Sequence, residues 1–310
     1  MATEGVDQAV HEVQITKEIR EPELLRLPNV VGVGIGFKEV KGKPTDELAL
    51  LVYVERKLPR KDLGRDAIVP DECDGTKTDV VETGPLEALA LTARVRPCRP
   101  GVSLGHWRIT AGTFGCLVQD RCAPCRVYVL SNNHVLANSN AAAAGDPVLQ
   151  PGRYDGGRYP ADLVARLERF VAIRFGSADR YNLVDAALAR PLDLRLAIGS
   201  TLGLGLPRGT AEAALGQDVV KTGRTTGTTT GRVTGIDATV AVGYGASGTA
   251  YFRNQIITTN MSQGGDSGSL LLERADRRAV GLLFAGSSRV TIHNNIRNVL
   301  LALGVELVTA

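Results

Sequence analysis

The stretch MSQGGDSGSLLL, residues 261–272, places two glycines, an aspartate, a serine and another glycine directly before three leucines. Gly264 and Gly265 let the backbone adopt conformations that are closed to other residues. That freedom allows successive amide N–H groups to be aimed at one point, which an oxyanion hole requires. The stretch is compatible with a tight turn formed by Asp266 and Ser267, and equally with a loop that presents Ser267 as a nucleophile.

A nucleophilic serine needs a base within hydrogen-bond reach and a third group that orients the base. The chain has four histidines, of which His11 lies in the N-terminal segment. His134 follows the apolar run VYVLSN and stands in an asparagine-rich turn. Catalytic groups are often mounted on loops of this kind, at the end of a rigid strand. Taken alone, His134 is equally compatible with a histidine that only caps the turn.

The orienting acid is expected to be a buried carboxylate, because only a buried and hydrogen-bonded acid fixes the histidine tautomer. Asp185 stands in NLVDAALAR, with apolar neighbours on both sides. A lone carboxylate in an apolar strand is costly unless a partner satisfies it, and an imidazole would be such a partner. Asp162 in YPADLVARL is the rival candidate. It follows a proline in turn-like surroundings, which favours a helix or turn cap for it.

Composition excludes several classes of function. The net charge of +3 is too small to indicate nucleic acid or an anionic membrane as a partner, and no basic stripe with interleaved aromatic residues occurs. The longest apolar runs fall far short of the ~20 residues that span a bilayer. The N-terminus has no apolar core of signal-peptide length, so a cytoplasmic protein is expected.

The chain is long enough for two domains. Residues 1–95 predict a small α+β domain with a regulatory or oligomerising role, since a helical apolar pattern precedes the strand-like runs VVGVGIGFKEV, LALLVYVERKL and TDVVE. The alternating glycines of VVGVGIG do not fit a dinucleotide fingerprint and favour a strand. RPCRPGVSLG, residues 96–105, carries two prolines and two glycines and is predicted to be a linker.

Residues 106–310 contain many short apolar runs between turns rich in glycine, asparagine and aspartate. This pattern is typical of an all-β sandwich or barrel. A closing amphipathic helix is predicted near the C-terminus, where apolar residues recur at helical spacing: Ile296, Val299, Leu300 and Leu303.

Three motifs resemble the trypsin/chymotrypsin-like serine proteases. GGDSGS is similar to the nucleophile segment of that family, LSNNHVLA to its histidine segment and LVDAALA to its aspartate segment. The order His134, Asp185, Ser267 is the family's order. VVKTGRTTGTTTGRVTG resembles the strand–turn–strand that precedes the nucleophile in bacterial members. The resemblance covers about residues 106–310 and implies a protease domain of two β-barrels with the site between them.

A narrower resemblance rests on LSNNHVLAN, QPGRYDGG and TDVVETG. These segments are similar to a bacterial and plant branch that includes the plant narrow-leaf trypsin-like protein. That branch also carries an extra segment before the protease domain, and membership in it is compatible with a homo-oligomer.

The resemblance implies a serine endopeptidase that acts on protein or peptide substrates through an acyl-enzyme, with no cofactor and no metal. Ser267 would attack the peptide carbonyl, and His134 would take its proton and later protonate the leaving amine. Asp185 would hold the imidazole. The backbone N–H groups of Gly265 and Ser267 would bind the oxyanion.

The resemblance also implies the positions of substrate-binding residues. Met261 would lie near the base of the specificity pocket, and the strand that runs alongside the substrate would be Phe284, Ala285 and Gly286. No acidic residue stands at the pocket position, which argues against a basic side chain before the scissile bond and favours a small or apolar one.

Two departures from the family concern the nucleophile segment. Ser269 stands where a glycine is usual. Asp266 has no free N-terminus nearby to pair with, as it has in digestive members, and its partner cannot be identified from the sequence. The sequence is therefore also compatible with an oxyanion hole that becomes ordered only when an activating partner binds.

Two other classes of protein are compatible with parts of the sequence. A protease-fold binding or scaffold protein is the second hypothesis, although such a protein has no physical reason to keep all three residues. An α/β-hydrolase is rejected because it needs the order Ser, Asp, His. The CAPC segment, Cys122 to Cys125, leaves free thiols, a disulfide or redox pair, and a zinc site open, with free thiols favoured.

Overall fold

The computed structural model describes residues 2–40, 43–64, 67–83, 91–109, 111–121, 126–177 and 179–310. The chain divides into two compact units, Met1–Leu89 and Ala90–Ala310. Among its described residues, the first unit contains one α-helix and four strands: α1 (Ala2–Leu24), β1 (Val30–Val40), β2 (Lys43–Val54), β3 (Glu72–Cys73) and β4 (Thr76–Glu82). Its strands form one sheet in the order β1-β2-β4-β3, in which β2 is antiparallel to β1 and parallel to β4.

The core of the first unit is shared by the helix and the sheet. Val13 and Leu24 of α1 pack in one apolar cluster with Leu50 and Val52 of β2. The alternating glycines of β1 lie beneath larger side chains of β2. A Cβ atom on Gly34, for example, would lie 2.9 Å from the Tyr53 Oη. These glycines therefore serve close packing within a strand, as the sequence predicts.

The second unit contains fifteen strands and two α-helices among the described residues: β5 (Ser103–His106), β6 (Gly112–Thr113), β7 (Cys116–Asp120), β8 (Val127–Ser131), α2 (Asn133–Leu136), β9 (Pro147–Leu149), β10 (Leu163–Phe170), β11 (Tyr181–Asn182), β12 (Ala187–Pro191), β13 (Asp218–Gly223), β14 (Gly227–Gly243), β15 (Thr249–Thr259), β16 (Leu270–Glu273), β17 (Ala279–Gly286), β18 (Val290–Asn295), α3 (Ile296–Leu303) and β19 (Val305–Leu307). These elements form two curled sheets.

The first sheet has the order β19-β7-β8-β12-β10-β9-β5-β6. The strand at one end, β6, runs through only two residues into β7, which is the second strand from the other end. The sheet curls around an apolar cluster that includes Leu104, Phe114, Val129 and Leu167. It forms the first barrel.

The second sheet has the order β11-β15-β14-β13-β16-β17-β18. An additional pairing between β15 and β18 closes six of these strands into a ring. β13 and β14 are the hairpin predicted from the threonine- and glycine-rich stretch. The all-β fold with two barrels, preceded by a small α+β unit, confirms the predicted fold class.

The C-terminal helix α3 matches its prediction closely. Ile296, Val299, Leu300 and Leu303 are its buried residues. The Asn295 side chain accepts a hydrogen bond from the Arg297 N–H at the N-terminus, and Gly304 ends the helix with a φ of 68°. The short strand β19 then returns to pair with β7.

The structure differs from the sequence prediction at residues 96–105, which were expected to be a linker. Cys98 is only 1% exposed, and β5 pairs with β9 inside the first barrel. Val102 and Leu104 belong to the apolar core of that barrel. The prolines and glycines of this segment thus lead into a buried edge of the sheet, and the boundary between the units falls at residues 89 and 90.

None of the helices in the described part of the chain has the length and apolar character needed to cross a membrane. The CAPC motif, residues 122–125, lies outside the described residues. Cys98 and Cys116 are buried free thiols.

Candidate active site

His134 is positioned by the end of the first barrel. It lies in the short helix α2, which begins two residues after β8 ends at Ser131. Its ring Nδ1 lies 2.6 Å from Asp185 Oδ2, and its backbone N–H donates to Asp185 Oδ1 at 3.2 Å. Because a carboxylate at this position accepts the Nδ1 proton, the other ring nitrogen, Nε2, is left as the basic nitrogen.

Asp185 lies in the connection between β11 and β12 and its side chain is fully buried. Its backbone is held from two directions. Asn132, before α2, donates to the Asp185 carbonyl at 2.8 Å. Asn294 of β18 accepts from the Asp185 N–H at 3.1 Å and donates to its carbonyl at 3.2 Å. The backbone of Asp185 is therefore held by residues of both barrels, whereas its carboxylate is satisfied by His134 and one further donor.

Tyr244 provides a third hydrogen bond to the same carboxylate. Its hydroxyl donates to Asp185 Oδ2 at 2.8 Å, and its ring packs edge-on to His134 with centroids 6.0 Å apart. Burial, together with the negative charge of Asp185, raises the pKa of the Tyr244 phenol well above its usual range. The phenol is therefore a permanent donor.

Ser267 lies in the loop between β15 and β16, where the chain turns through two glycines with positive φ. Gly265 has a φ of 99° and Gly268 a φ of 98°, which favours glycine at both positions. A Cβ on Gly268 would lie 2.2 Å from Ser131 Oγ and 2.3 Å from the Thr113 carbonyl oxygen. The loop therefore folds closely against the first barrel.

Thr113 fixes this loop to the first barrel. Its N–H donates to the Ser267 carbonyl at 2.8 Å, and its hydroxyl donates to the Gly265 carbonyl at 2.9 Å. The neighbouring Gly112 lies between the two halves of the site, because a Cβ there would be 2.4 Å from Val135 Cγ2 and 3.0 Å from the Ser267 carbonyl oxygen. Ser267 and the helix that carries His134 thus meet at one glycine.

Two backbone N–H groups of the serine loop have no acceptor among the described residues. In the described hydrogen-bond network, neither the Gly265 N–H nor the Ser267 N–H donates to a protein acceptor. The Ser267 hydroxyl likewise makes no hydrogen bond to His134 among the described residues. Both amides remain available for an acceptor other than the protein itself.

Asp266, whose partner the sequence left open, pairs with Lys221 of β13. Lys221 Nζ lies 3.1 Å from Asp266 Oδ2, and both side chains are fully buried. The Thr225 and Thr226 N–H groups donate to Oδ1, and the Thr226 hydroxyl and the Gln263 N–H to Oδ2. Burial acts to raise the pKa of Asp266, but Lys221 and these donors outweigh it and hold that pKa below its usual range.

Ser269, which stands where a glycine is usual, has a structural contact of its own. Its side chain is buried and donates to the Asp266 carbonyl at 2.6 Å. Gly223 lies against the same pair, since a Cβ on it would be 2.5 Å from Asp266 Oδ1 and 2.6 Å from Ser269 Oγ. The hydroxyl thus reinforces the loop.

Two cavities adjoin the site. A cleft of about 910 Å³ lies beside His134, and its walls include Arg108, Arg153 and Tyr244. A smaller cavity of about 460 Å³ lies beside Ser267, and none of its described lining residues is acidic or basic: they are Asn260, Ser262, Gln263, Gly264, Ser267, Leu283, Ala285, Gly286, Ser287 and Ser288. Ala285 and Gly286 line both cavities.

The predicted substrate-binding residues fall into two groups. Phe284, Ala285 and Gly286, at the end of β17, line the cleft beside His134. Met261 is 4% exposed and packs in the apolar core of the second barrel. Its neighbour Ser262 lines the cavity beside Ser267 instead.

The rival acid and the other two histidines of the second unit have separate partners. Asp162 binds Arg94 at 2.8 Å and accepts from the Arg158 N–H at 2.9 Å, so it stabilises a turn. His106 lies 3.1 Å from Asp146, and His293 lies 3.0 Å from the Thr258 hydroxyl. In the described part of the chain, no group of three or more His, Cys, Asp or Glu residues is arranged to hold a metal ion.

Sequence reasoning missed Lys221, Thr113, Asn294 and Tyr244. Lys221 carried a signal, because a lone lysine in the apolar run DVVKTG needs a buried counter-charge for the same reason that Asp185 needs a partner. The other three are polar residues at strand ends, and such residues are too common to stand out.

The fold and the candidate site together indicate the class of protein to which the chain belongs. Two β-barrels bring a histidine–aspartate pair from one side against a glycine-rich serine loop from the other. Residues 113–282 match the family model of the trypsin-like peptidase domain. This is more than half of the chain, and the chain belongs to that family, which confirms the resemblance seen in the sequence. Membership in the plant and bacterial branch stays a prediction.

Solved structures of similar fold are bacterial proteases. A Nocardiopsis protease is 18% identical with a TM-score of 0.50, and the match covers 68% of this chain and 100% of that one. Thermobifida fusca protease A is 19% identical, with a TM-score of 0.48 and coverage of 69% and 100%. Cellulomonas bogoriensis chymotrypsin is 20% identical, with a TM-score of 0.46 and coverage of 68% and 98%. The Nocardiopsis likeness supports the fold, and no curated protein matches the chain.

Proposed function

We propose that this chain is a serine endopeptidase in which Ser267, His134 and Asp185 act as a catalytic triad. The observation that carries the proposal is the 2.6 Å contact between His134 Nδ1 and the buried Asp185 carboxylate. This contact fixes the ring so that Nε2 is basic, and it stabilises the imidazolium that forms when the ring takes a proton.

The proposed reaction proceeds in two stages. Ser267 Oγ attacks the peptide carbonyl while its proton passes to His134 Nε2, and the carbonyl oxygen becomes an oxyanion held by the Gly265 and Ser267 N–H groups. The C–N bond then breaks, and the amine leaves with the proton from His134. Water, deprotonated by the same nitrogen, hydrolyses the acyl-enzyme and restores Ser267.

The ion pair between Lys221 and Asp266 supports activity without an activating partner. Digestive relatives order this loop with a new N-terminus, whereas here a buried lysine of the same unit supplies the positive charge. We therefore infer that the oxyanion loop is ordered in the chain as synthesised.

The small cavity beside Ser267 supports a preference for an uncharged residue before the scissile bond. Its described wall carries hydroxyl and amide groups but no charge that would neutralise a buried lysine, arginine, aspartate or glutamate. Cleavage profiling with a peptide library tests this point. A strong preference for arginine or lysine would contradict it.

The triad is tested by labelling with a fluorophosphonate probe, followed by mapping of the modified peptide. We expect one label, on Ser267, and its loss in both Ser267→Ala and His134→Ala. His11→Ala, which changes a histidine of the first unit, is the matched control and should label like the natural chain. Labelling that is absent, or that does not depend on His134, would favour the protease-fold scaffold instead.

A further inference from the structure

We propose that Tyr244 is a positioning residue for the triad, an inference that rests on the proposed function. Its phenolic hydroxyl donates to Asp185 Oδ2, the oxygen that also accepts the His134 Nδ1 proton. Tyr244 would thereby fix the direction of the carboxylate and reduce the charge that the carboxylate presents to His134.

The two oxygens of the Asp185 carboxylate accept different numbers of hydrogen bonds. Among the described residues, Oδ1 accepts only the His134 backbone N–H, at 3.2 Å, whereas Oδ2 accepts both the His134 ring at 2.6 Å and the Tyr244 hydroxyl at 2.8 Å. A carboxylate oxygen that already accepts a strong hydrogen bond is a weaker base toward its second donor. The Tyr244 hydroxyl therefore acts on the atom that determines how tightly His134 holds its proton.

The position of Tyr244 is imposed by the hairpin that carries it. The residue follows β14, and its N–H donates to the Gly248 carbonyl at 2.8 Å across the turn that leads to β15. Its ring packs edge-on against Phe175, with centroids 5.6 Å apart, and beside Phe252 at 6.2 Å. These aromatic contacts hold the hydroxyl at Asp185 without depending on the hydrogen bond itself.

The other charged groups around the pair are few. Among the described residues, Arg108 and Arg153 line the cleft that His134 faces. β18 contributes the neutral Asn294 to Asp185 and the buried His293 to the barrel interior. Substitution of Tyr244 by phenylalanine leaves all of these groups in place, so any change in the titration of His134 reports the lost hydroxyl.

The test compares Tyr244→Phe with Tyr128→Phe. Tyr128 is a matched control, because it is also buried and also donates to an aspartate, Asp120 Oδ2, at 2.9 Å. It lies in β8, and its described hydrogen bond and ring contact go to Asp120 and Arg169, not to the triad. Both variants keep the aromatic ring and lose one tyrosine–aspartate hydrogen bond, so a purely structural role predicts the same outcome for both.

In Tyr244→Phe we expect the midpoint of the His134 titration, followed by NMR, to move to higher pH by about one unit. The acid limb of the kcat/KM profile against pH should move in the same direction. At neutral pH, kcat should fall roughly tenfold while KM stays unchanged, since a misdirected base slows the chemical step without altering binding. Tyr128→Phe should change neither the titration nor the profile.

An unchanged His134 titration in Tyr244→Phe, or an equal shift in both variants, would overturn the positioning role. The NMR titration is independent of turnover. If the natural chain hydrolyses no peptide, the proposed function fails, whereas the shift of the His134 midpoint still decides whether Tyr244 positions the pair.

Discussion

Asp266 and Lys221 form the most deeply buried ion pair of the second unit, with both side chains fully removed from solvent. A charge in such a place is tolerated only when it is paired and hydrogen-bonded. The pair also joins β13 to the residue directly before Ser267, so the position of Ser267 depends on a charge in β13.

Substitution of Lys221 by methionine is expected to cost about 3–5 kcal/mol of unfolding free energy, because it leaves the Asp266 carboxylate buried without a counter-charge. Fluorophosphonate labelling should fall as well. Urea unfolding measures the first effect. The double variant Lys221→Met/Asp266→Asn removes both charges and should regain part of the lost stability. A Lys221→Met chain as stable and as reactive as the natural one would contradict the role of the pair.

His293 predicts a pH dependence of stability. Burial, followed by the nearby Lys221 charge, lowers the pKa of His293 from 6.5 to about 3. The unfolded chain therefore binds one more proton than the folded chain between these values, so the contribution of His293 is complete above pH 6.5 and is lost as the pH falls toward 3. In this window, His293→Gln should reduce the slope of unfolding free energy against pH by about 1.4 kcal/mol per unit. An unchanged slope in urea unfolding at a series of pH values would contradict a neutral buried His293.

At the scale of elements, the candidate site is built from three connections between strands. One follows β8 and carries His134 in α2, one precedes β12 and carries Asp185, and one precedes β16 and carries Ser267. The third is the most constrained, because Gly268 combines a positive φ with contact distances that leave no room for a side chain.

Gly268→Ala is expected to destabilise the chain far more than Gly145→Ala. Both glycines have a positive φ, 98° and 91°, but a Cβ on Gly145 would meet nothing within 4 Å. Gly145→Ala should thus cost only the backbone strain, about 1–2 kcal/mol, while Gly268→Ala adds the clash with Ser131 and Thr113. Thermal unfolding of the two variants measures the difference, and equal losses would show that the close approach is unimportant.

Sequence-based prediction worked where the signal was local. The glycine loop, the apolar surroundings of Asp185 and the helical spacing of α3 each lie within about a dozen residues, and α3 forms with the predicted residues buried. Tyr244 and Lys221 act on partners 59 and 45 residues away. Their contacts depend on how β13 and β14 bend in the folded barrel, and no local sequence pattern predicts that bending. The linker predicted at residues 96–105 was wrong, because prolines and glycines occur at the start of a buried strand as well as in linkers.

At the scale of the whole molecule, the two units have separate apolar cores. The cluster around Leu50 belongs to the first unit, and the clusters around Leu130, Leu104, Ile256 and Phe252 belong to the second. Every residue that lines the two cavities of the site belongs to the second unit. The described residues proposed to form the triad and the oxyanion hole thus all lie within Ala90–Ala310.

A chain of residues 90–310 is expected to fold and to react with the fluorophosphonate probe at the rate of the full chain. The physical reason is that its barrels bury their own cores and supply all the proposed catalytic groups. Circular dichroism checks the fold, and the labelling rate checks the site. A fragment that folds but labels much more slowly would show that the first unit contributes to the reaction.

The acyl-enzyme itself provides the most direct test of the proposed mechanism. The natural chain, mixed with an activated ester of an uncharged amino acid and quenched in acid, is analysed by intact mass and peptide mapping. We expect the mass of one acyl group on Ser267, and no adduct on Ser267→Ala under the same conditions. Hydrolysis that proceeds without an adduct, or an adduct on any residue other than Ser267, would contradict the proposal.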